Sequence, residues 1–142
     1  MFKSKKVNDQ LVYEIDKTTC IILLERAKKI LTNAFPKTAL YKFGVALLTK
    51  KGNIYEGVSY GSDTATLTMH SEATALAHAA IHGDTEIIAI TGPNCHICKQ
   101  LIYENSLRSG IDVVVVFKER GKIMKIPISH MMPYPWPERP IK

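Results

Sequence analysis

Apolar and polar positions alternate along this chain with two different periods, and the switches between them mark its elements. From Asp16 to Phe35 the apolar residues fall at Cys20, Leu23, Leu24, Ala27, Ile30, Leu31 and Ala34. That is the three-and-four spacing of a helix with one buried stripe. Asp16 or Thr18 is placed to cap its start, and Pro36 lies just past its end. Phe43 to Thr49 is an apolar strand, Lys50-Lys51-Gly52-Asn53 a turn and Ile54 to Tyr60 the return strand, which together predict a hairpin. Gly61-Ser62-Asp63-Thr64 then forms a loop.

Met69 to His82 predicts a second helix ended by Gly83, with Ala73, Leu76, Ala77, Ala80 and Ile81 expected to face the core. Glu86 to Thr91 is a short buried strand. Asn94 is the expected N-cap of a third helix, Cys95 to Ser109, which stops at Gly110. Asp112 to Phe117 is nearly all valine and is expected to be a central strand covered on both faces. Strand, helix and strand of these lengths imply a right-handed parallel crossover. Gly121 makes a turn, and Ile123 to Ile126 is a candidate edge strand. Residues 1–15 are a polar lead-in without a clear pattern. The tail from Met131 to Pro137 is aromatic and punctuated by proline, which excludes a helix there. The expected architecture is α/β: one domain over 1–142, with a mixed sheet of about five strands, helices on both faces, an N-terminal extension (1–15) and a C-terminal tail (128–142).

Apolar residues make up 46% and charged residues 23% of the 142 positions, so the chain can bury a core and is not disordered. The polar start, Met1 to Lys6, lacks the apolar stretch of a signal peptide. The longest apolar runs, Cys20 to Leu24 and Val113 to Phe117, are far too short to span a membrane. Three cysteines, two of them at Cys-x-x-Cys spacing, point to metal-binding thiolates in a reducing, cytoplasmic setting, not to disulfides. The net charge of +6 comes from scattered lysines and arginines, which fits a solvated surface better than a nucleic-acid groove.

The candidate chemistry sits in Cys95-His96-Ile97-Cys98, taken with His70-Ser71-Glu72. Cys95 and Cys98, three apart at a helix start, project to one side and can share an ion. The unpaired N–H groups and dipole of that helix end stabilise thiolates. His70, at the start of the other helix, supplies a third ligand, and three protein ligands leave zinc an open position for water. Glu72 lies about 200° from His70 on an ideal helix. At a helix entrance, where the geometry is looser, it can reach a zinc-activated water without ligating the metal. The competing arrangement is structural: His78 and His82, four apart on one helix face, would close a Cys₂His₂ shell with Cys95 and Cys98. It leaves the His-x-Glu spacing without a purpose.

These residues resemble the signature of the zinc-dependent cytidine deaminases, His-x-Glu followed by Pro-Cys-x-x-Cys. Gly44 to Thr49 with Lys50-Lys51-Gly52 is similar to that family's first hairpin. Cys98-Lys99-Gln100 resembles its Cys-Arg-Gln continuation, and Met131-Met132-Pro133 with Trp136-Pro137 its C-terminal segment. The resemblance implies a three-layer α/β/α fold, one Zn²⁺ per chain held by His70, Cys95 and Cys98, and hydrolytic loss of ammonia from a cytidine-like nucleoside. Glu72 would be the catalytic proton carrier. Phe43, Ser59, Tyr60, Ser71, Asn94 and Trp136 would contact substrate. It also implies a homo-oligomer, dimer or tetramer, in which the tail near Trp136 helps to close a neighbour's pocket.

The sequence departs from that pattern at four places. His70 stands where small cytidine deaminases have a third cysteine, and Ala73 where they carry an arginine. Those two changes agree, because two thiolates already neutralise Zn²⁺ and leave no surplus charge to offset. Ser59-Tyr60-Gly61 replaces the ribose-binding Asn-x-Glu, removing a charge-assisted hydrogen bond of about 1.5–3 kcal/mol. Asn94, not proline, directly precedes Cys95, and Ser71 replaces a small alanine. A blasticidin S-like antibiotic, a modified nucleoside or a free base is therefore an alternative substrate. Deamination within a nucleic acid is a further one, against which stand the small size and the lack of an aromatic-lined basic groove.

Overall fold

The computed structural model describes residues 2–138; Met1 and the last four residues of the expected tail lie outside it. The lead-in is not unpatterned. Strands β1 (Ser4–Val7) and β2 (Gln10–Tyr13) pair antiparallel around Asn8 and Asp9, whose φ angles are 49° and 66°. Two consecutive positive φ values make the I′ type of hairpin turn, a conformation that Asn and Asp tolerate. β1 is exposed at every position, so no alternation of apolar residues reveals it. Leu11 stitches this hairpin to the domain: its N–H donates to Gly110 O, and its carbonyl accepts from Asp112 N–H.

Helix α1 (Lys17–Ile30) is capped by Asp16, whose carboxylate accepts from Thr19 N–H at 2.7 Å. That bond holds the Asp16 carboxyl below its ordinary value. The end of the helix tightens into a 3₁₀ turn over Leu31–Asn33. There follow β3 (Gly44–Thr49), β4 (Ile54–Val58), α2 (Ser71–Ile81), β5 (Ile87–Thr91), α3 (His96–Ser109), β6 (Val114–Glu119) and β7 (Lys122–Pro127). The sheet order is β4-β3-β5-β6-β7. Only β5 and β6 are parallel, joined through α3, and every other pairing is antiparallel. Gly110, at φ 74°, ends α3 in the left-handed conformation that glycine adopts without strain.

Successive strand residues point to opposite faces, and the two halves of the core divide accordingly. Ala46, Leu48, Ala89 and Val116 pack with Cys20, Leu23 and Ala27 of α1. Val45, Leu47, Ile90 and Val115 pack with Ala75 and Ala79 of α2 and with Ile102 and Leu107 of α3. Helices thus cover both faces of a five-stranded mixed sheet. Cys20 is fully buried in the first layer, a small hydrophobe away from the other two cysteines.

Two local expectations fail. The face of α2 is rotated: Ser71, Glu72, Ala75 and Ala79 are buried, while Ala77, Ala80 and Ile81 are exposed, Ile81 by 81%. Its many alanines define no sharp stripe, and two polar residues take places that pattern alone assigns to apolar ones. α2 also lies close on β4. A Cβ on Gly57 would sit 2.2 Å from Ser71 O and 2.3 Å from Ala75 N, so only glycine lets the first turn of α2 seat there. The N-cap of α3 is Cys95, and the Asn94 side chain turns away to other partners.

One polar cluster lay outside the sequence reading. The buried Asp84 carboxylate accepts from Thr49 Oγ1 and Asn53 Nδ2, both at 2.8 Å, and from Tyr55 Oη at 3.3 Å, tying the end of α2 to the β3–β4 hairpin. Burial pushes this carboxyl up, but the three donors outweigh it and hold it below its ordinary value. The stability it contributes is therefore present above about pH 4 and lost as pH falls through the folded value. Asp84→Ala strands the buried Thr49 hydroxyl and is expected to cost about 2 kcal/mol, seen at pH 7 as a fall of several degrees in Tm.

Candidate metal centre and active site

The N-termini of α2 and α3 converge, and the residues that start them carry the chemistry. His70 and Cys95 are the N-cap residues, both with extended backbones, and neither side chain caps its helix. Both are thus free to turn toward each other. His70 Nδ1 lies 3.2 Å from Cys98 Sγ and 3.4 Å from Cys95 Sγ. A single ring nitrogen has one lone pair or one proton, so it cannot serve two sulfurs equally as a hydrogen-bond partner. It can share an ion with them. Zinc–sulfur and zinc–nitrogen bonds of about 2.3 and 2.0 Å at a tetrahedral angle place N and S about 3.5 Å apart. Nitrogen with two sulfurs is also the donor softness that selects zinc.

Charge agrees with that fit. Cys98 is buried and Cys95 exposed. Burial pushes the Cys98 thiol well up, and the Glu72 carboxylate and Cys95 beside it add to the effect. A dication reverses all three influences. Zinc uptake at neutral pH must then displace the Cys98 proton, so zinc affinity is expected to rise about tenfold per pH unit for each proton released. Calorimetry of zinc binding to the metal-free protein, in buffers of different ionisation enthalpy, counts those protons.

Glu72 is 6% exposed. Its Oε1 accepts from Ser71 Oγ at 2.9 Å and its Oε2 from Asn94 Nδ2 at 2.8 Å. Because His70 lies outside the helix proper, the 200° separation of an ideal helix does not apply. Glu72 and His70 accordingly line one pocket of about 310 Å³, together with Phe43, Ser71, Pro93 and Cys95. Among the described residues no lysine or arginine lines it. Its size suits a small heterocycle or nucleoside.

The other candidates are placed differently. Phe43 lines the pocket. Ser59 is buried and pins the Phe43 backbone, with Phe43 N–H donating to Ser59 Oγ at 3.0 Å and Ser59 N–H to Phe43 O at 2.9 Å. Tyr60 stacks on Phe35 with ring centroids 4.9 Å apart. Trp136 leaves its ring in solvent, while its carbonyl accepts from Gln100 Nε2 at 2.8 Å. His82 stacks on Tyr55 and His78 meets the same ring edge-on, on the β4 side of α2, and His78 Nδ1 engages Glu56 O at 3.0 Å. Among the described residues, His70, Cys95 and Cys98 form the one group of three metal donors, and the Cys₂His₂ shell is not assembled. The Ser71–Glu72–Asn94 arrangement was missed. Its only trace in the sequence is a polar residue where the motif has proline.

Comparison with known proteins agrees with this geometry. Residues 18–118 match the family model described as the cytidine and deoxycytidylate deaminase zinc-binding region. A cytidine deaminase of Sodalis glossinidius (strain morsitans) is 33% identical over 97 residues, covering 64% of this chain but only 31% of that protein's length. One from Halalkalibacterium halodurans is 27% identical over 120 residues, covering 79% of this chain and 89% of the relative. The solved cytidine deaminase of Burkholderia pseudomallei superposes with a TM-score of 0.66 at 24% identity, over 80% of this chain and 96% of that one.

Proposed function

The chain belongs to the cytidine and deoxycytidylate deaminase zinc-binding family, and from that premise we propose that it releases ammonia hydrolytically from a cytidine-like aminopyrimidine nucleoside. The observation that carries this is one imidazole nitrogen and two sulfurs gathered within 4.8 Å of one another, with His70 and Cys95 lining a pocket that the buried Glu72 carboxylate also lines. His70, Cys95 and Cys98 would hold zinc, which would supply the Lewis acidity that makes water nucleophilic near neutral pH. Glu72 would take a proton from a water attacking the amine-bearing ring carbon and pass it to the ring nitrogen. It would then carry the remaining hydroxyl proton to the amine, so that a C–O bond forms, the C–N bond breaks, ammonia leaves and a ring carbonyl remains. Phe43 and Pro93 wall the pocket and limit bulk water around the carboxylate.

The identity of the sugar, if any, is a separate matter. Ser59-Tyr60-Gly61 offers no carboxylate, and the Ser59 hydroxyl is committed to the Phe43 backbone. Both support a substrate held less by its ribose than cytidine is: a modified nucleoside, a blasticidin S-like compound or a free base. The exposed rings of Tyr41, Phe43, Tyr60 and Trp136 support a homo-oligomer in which a second copy covers the pocket mouth. The free thiols support a cytoplasmic, reducing setting. Among the described residues no helix is long and apolar enough to cross a membrane. The two-faced core supports a single domain across 1–142.

Ammonia release from cytosine, adenine, guanine and pterin compounds, free and as nucleosides, tests the proposal. Stoichiometric release from an aminopyrimidine by zinc-loaded protein is expected; silence across the panel overturns it.

A further inference from the structure

Both oxygens of Glu72 are already spoken for, and the two donors come from different elements. Ser71 is its neighbour on α2, whereas Asn94 belongs to the segment between β5 and Cys95. The orientation of the Asn94 amide follows from chemistry alone. Its nitrogen faces two acceptors, Glu72 Oε2 at 2.8 Å and Thr91 O at 3.1 Å, and only an NH₂ group can satisfy both. Its own oxygen pays for this: Oδ1 is buried without a hydrogen-bond partner, a costly state that calls for an explanation. Gly92 makes room for it, because a Cβ there would stand 2.9 Å from Asn94 Oδ1 and 2.8 Å from Val115 Cγ1. The deaminase motif has proline directly before its first cysteine, and proline has no side-chain donor. Asn94 therefore brings to this position a donor that the motif's proline lacks.

We infer that Ser71 and Asn94 form a two-donor clamp that fixes the Glu72 carboxylate before substrate arrives. Asn94 is a positioning residue that ties the carboxylate to the segment carrying Cys95. The inference rests on the deaminase reading, since it assigns Glu72 the proton transfer whose geometry the clamp sets. Ser71 holds Oε1 and Asn94 holds Oε2, so losing either donor frees the carboxylate to rotate. Misplacement of a catalytic group by about 1 Å costs on the order of 10²-fold in rate.

The test uses zinc-loaded Asn94→Ala, Asn94→Asp, Ser71→Ala and Glu72→Gln proteins. The readouts are zinc content, kcat and KM taken separately, and the Glu72 conformation in crystals of each variant. Asn94→Ala and Ser71→Ala are expected to keep one zinc per chain and a KM near the starting value, to lower kcat by roughly 10- to 100-fold, and to show Glu72 displaced or in several conformers. Asn94→Asp keeps the shape but loses the donor, so it is expected to fare no better than Asn94→Ala; a purely space-filling Asn94 would leave it near full activity. Should Asn94→Ala fail to fold, Ser71→Ala decides, because it removes little more than one hydroxyl. Full kcat in Ser71→Ala and in the Asn94 variants that fold, with Glu72 unmoved, overturns the clamp. An inactive Glu72→Gln beside fully active clamp variants sinks the clamp alone, whereas an active Glu72→Gln sinks the deaminase reading beneath it.

Discussion

Glu72→Gln is expected to retain its zinc and lose about 10²- to 10⁴-fold in kcat, the range that one positioned acid–base group contributes. The substitution suits the question because glutamine fills the same volume. Its amide oxygen can still accept from Asn94 Nδ2 or Ser71 Oγ, so packing and the hydrogen bonds around position 72 largely survive. What disappears is the capacity to take up and release a proton. Steady-state ammonia release, with zinc per chain measured on the same samples, separates this from metal loss. A loss confined to KM would instead mean that Glu72 only binds substrate.

Cys98→Ala is expected to have the second large effect, through the metal. Cys98 contributes one of three donors from a buried position, and two remaining donors cannot hold zinc against dilution. The loss of affinity is expected to exceed the roughly 10- to 100-fold that follows from removing an outer partner of a metal ligand. Activity should fall with zinc content and not be restored by added metal at micromolar concentration. The fold should persist. Its two apolar layers are built on β3, β5 and β6, unlike small zinc modules in which metal binding and folding are one event. Elemental analysis and circular dichroism of the purified variant check both halves.

The sequence disclosed more of the site than of its surroundings. His70, Cys95 and Cys98 were legible because metal ligation restricts residue type and spacing severely. The two helices that carry them were marked by apolar periodicity and ended by Gly83 and Gly110. The β5–α3–β6 crossover was equally plain, since strands buried on both faces leave unbroken runs of Ile and Val. Three features were not. The β1–β2 hairpin is solvated and shows no alternation. The inward face of α2 carries Ser71 and Glu72, and polarity argues against burial until their partners are known. Asn94 looked like a helix cap because a cap and a buried amide ask for the same residue type, and only the fold brings Glu72 within 2.8 Å of it. Ser59 taught the same lesson: its place in the motif suggested substrate, and its hydrogen bonds go to Phe43.

Everything rests on a metal with three protein donors and one open position. X-ray absorption at the zinc edge of the purified protein measures that directly. The expected spectrum has two sulfurs near about 2.3 Å and two lighter atoms near about 2.0–2.1 Å, one of them exchangeable with added anions, and it is unchanged in Glu72→Gln. A shell of four protein donors, closed to exchange or altered by His78→Ala or His82→Ala, would contradict it.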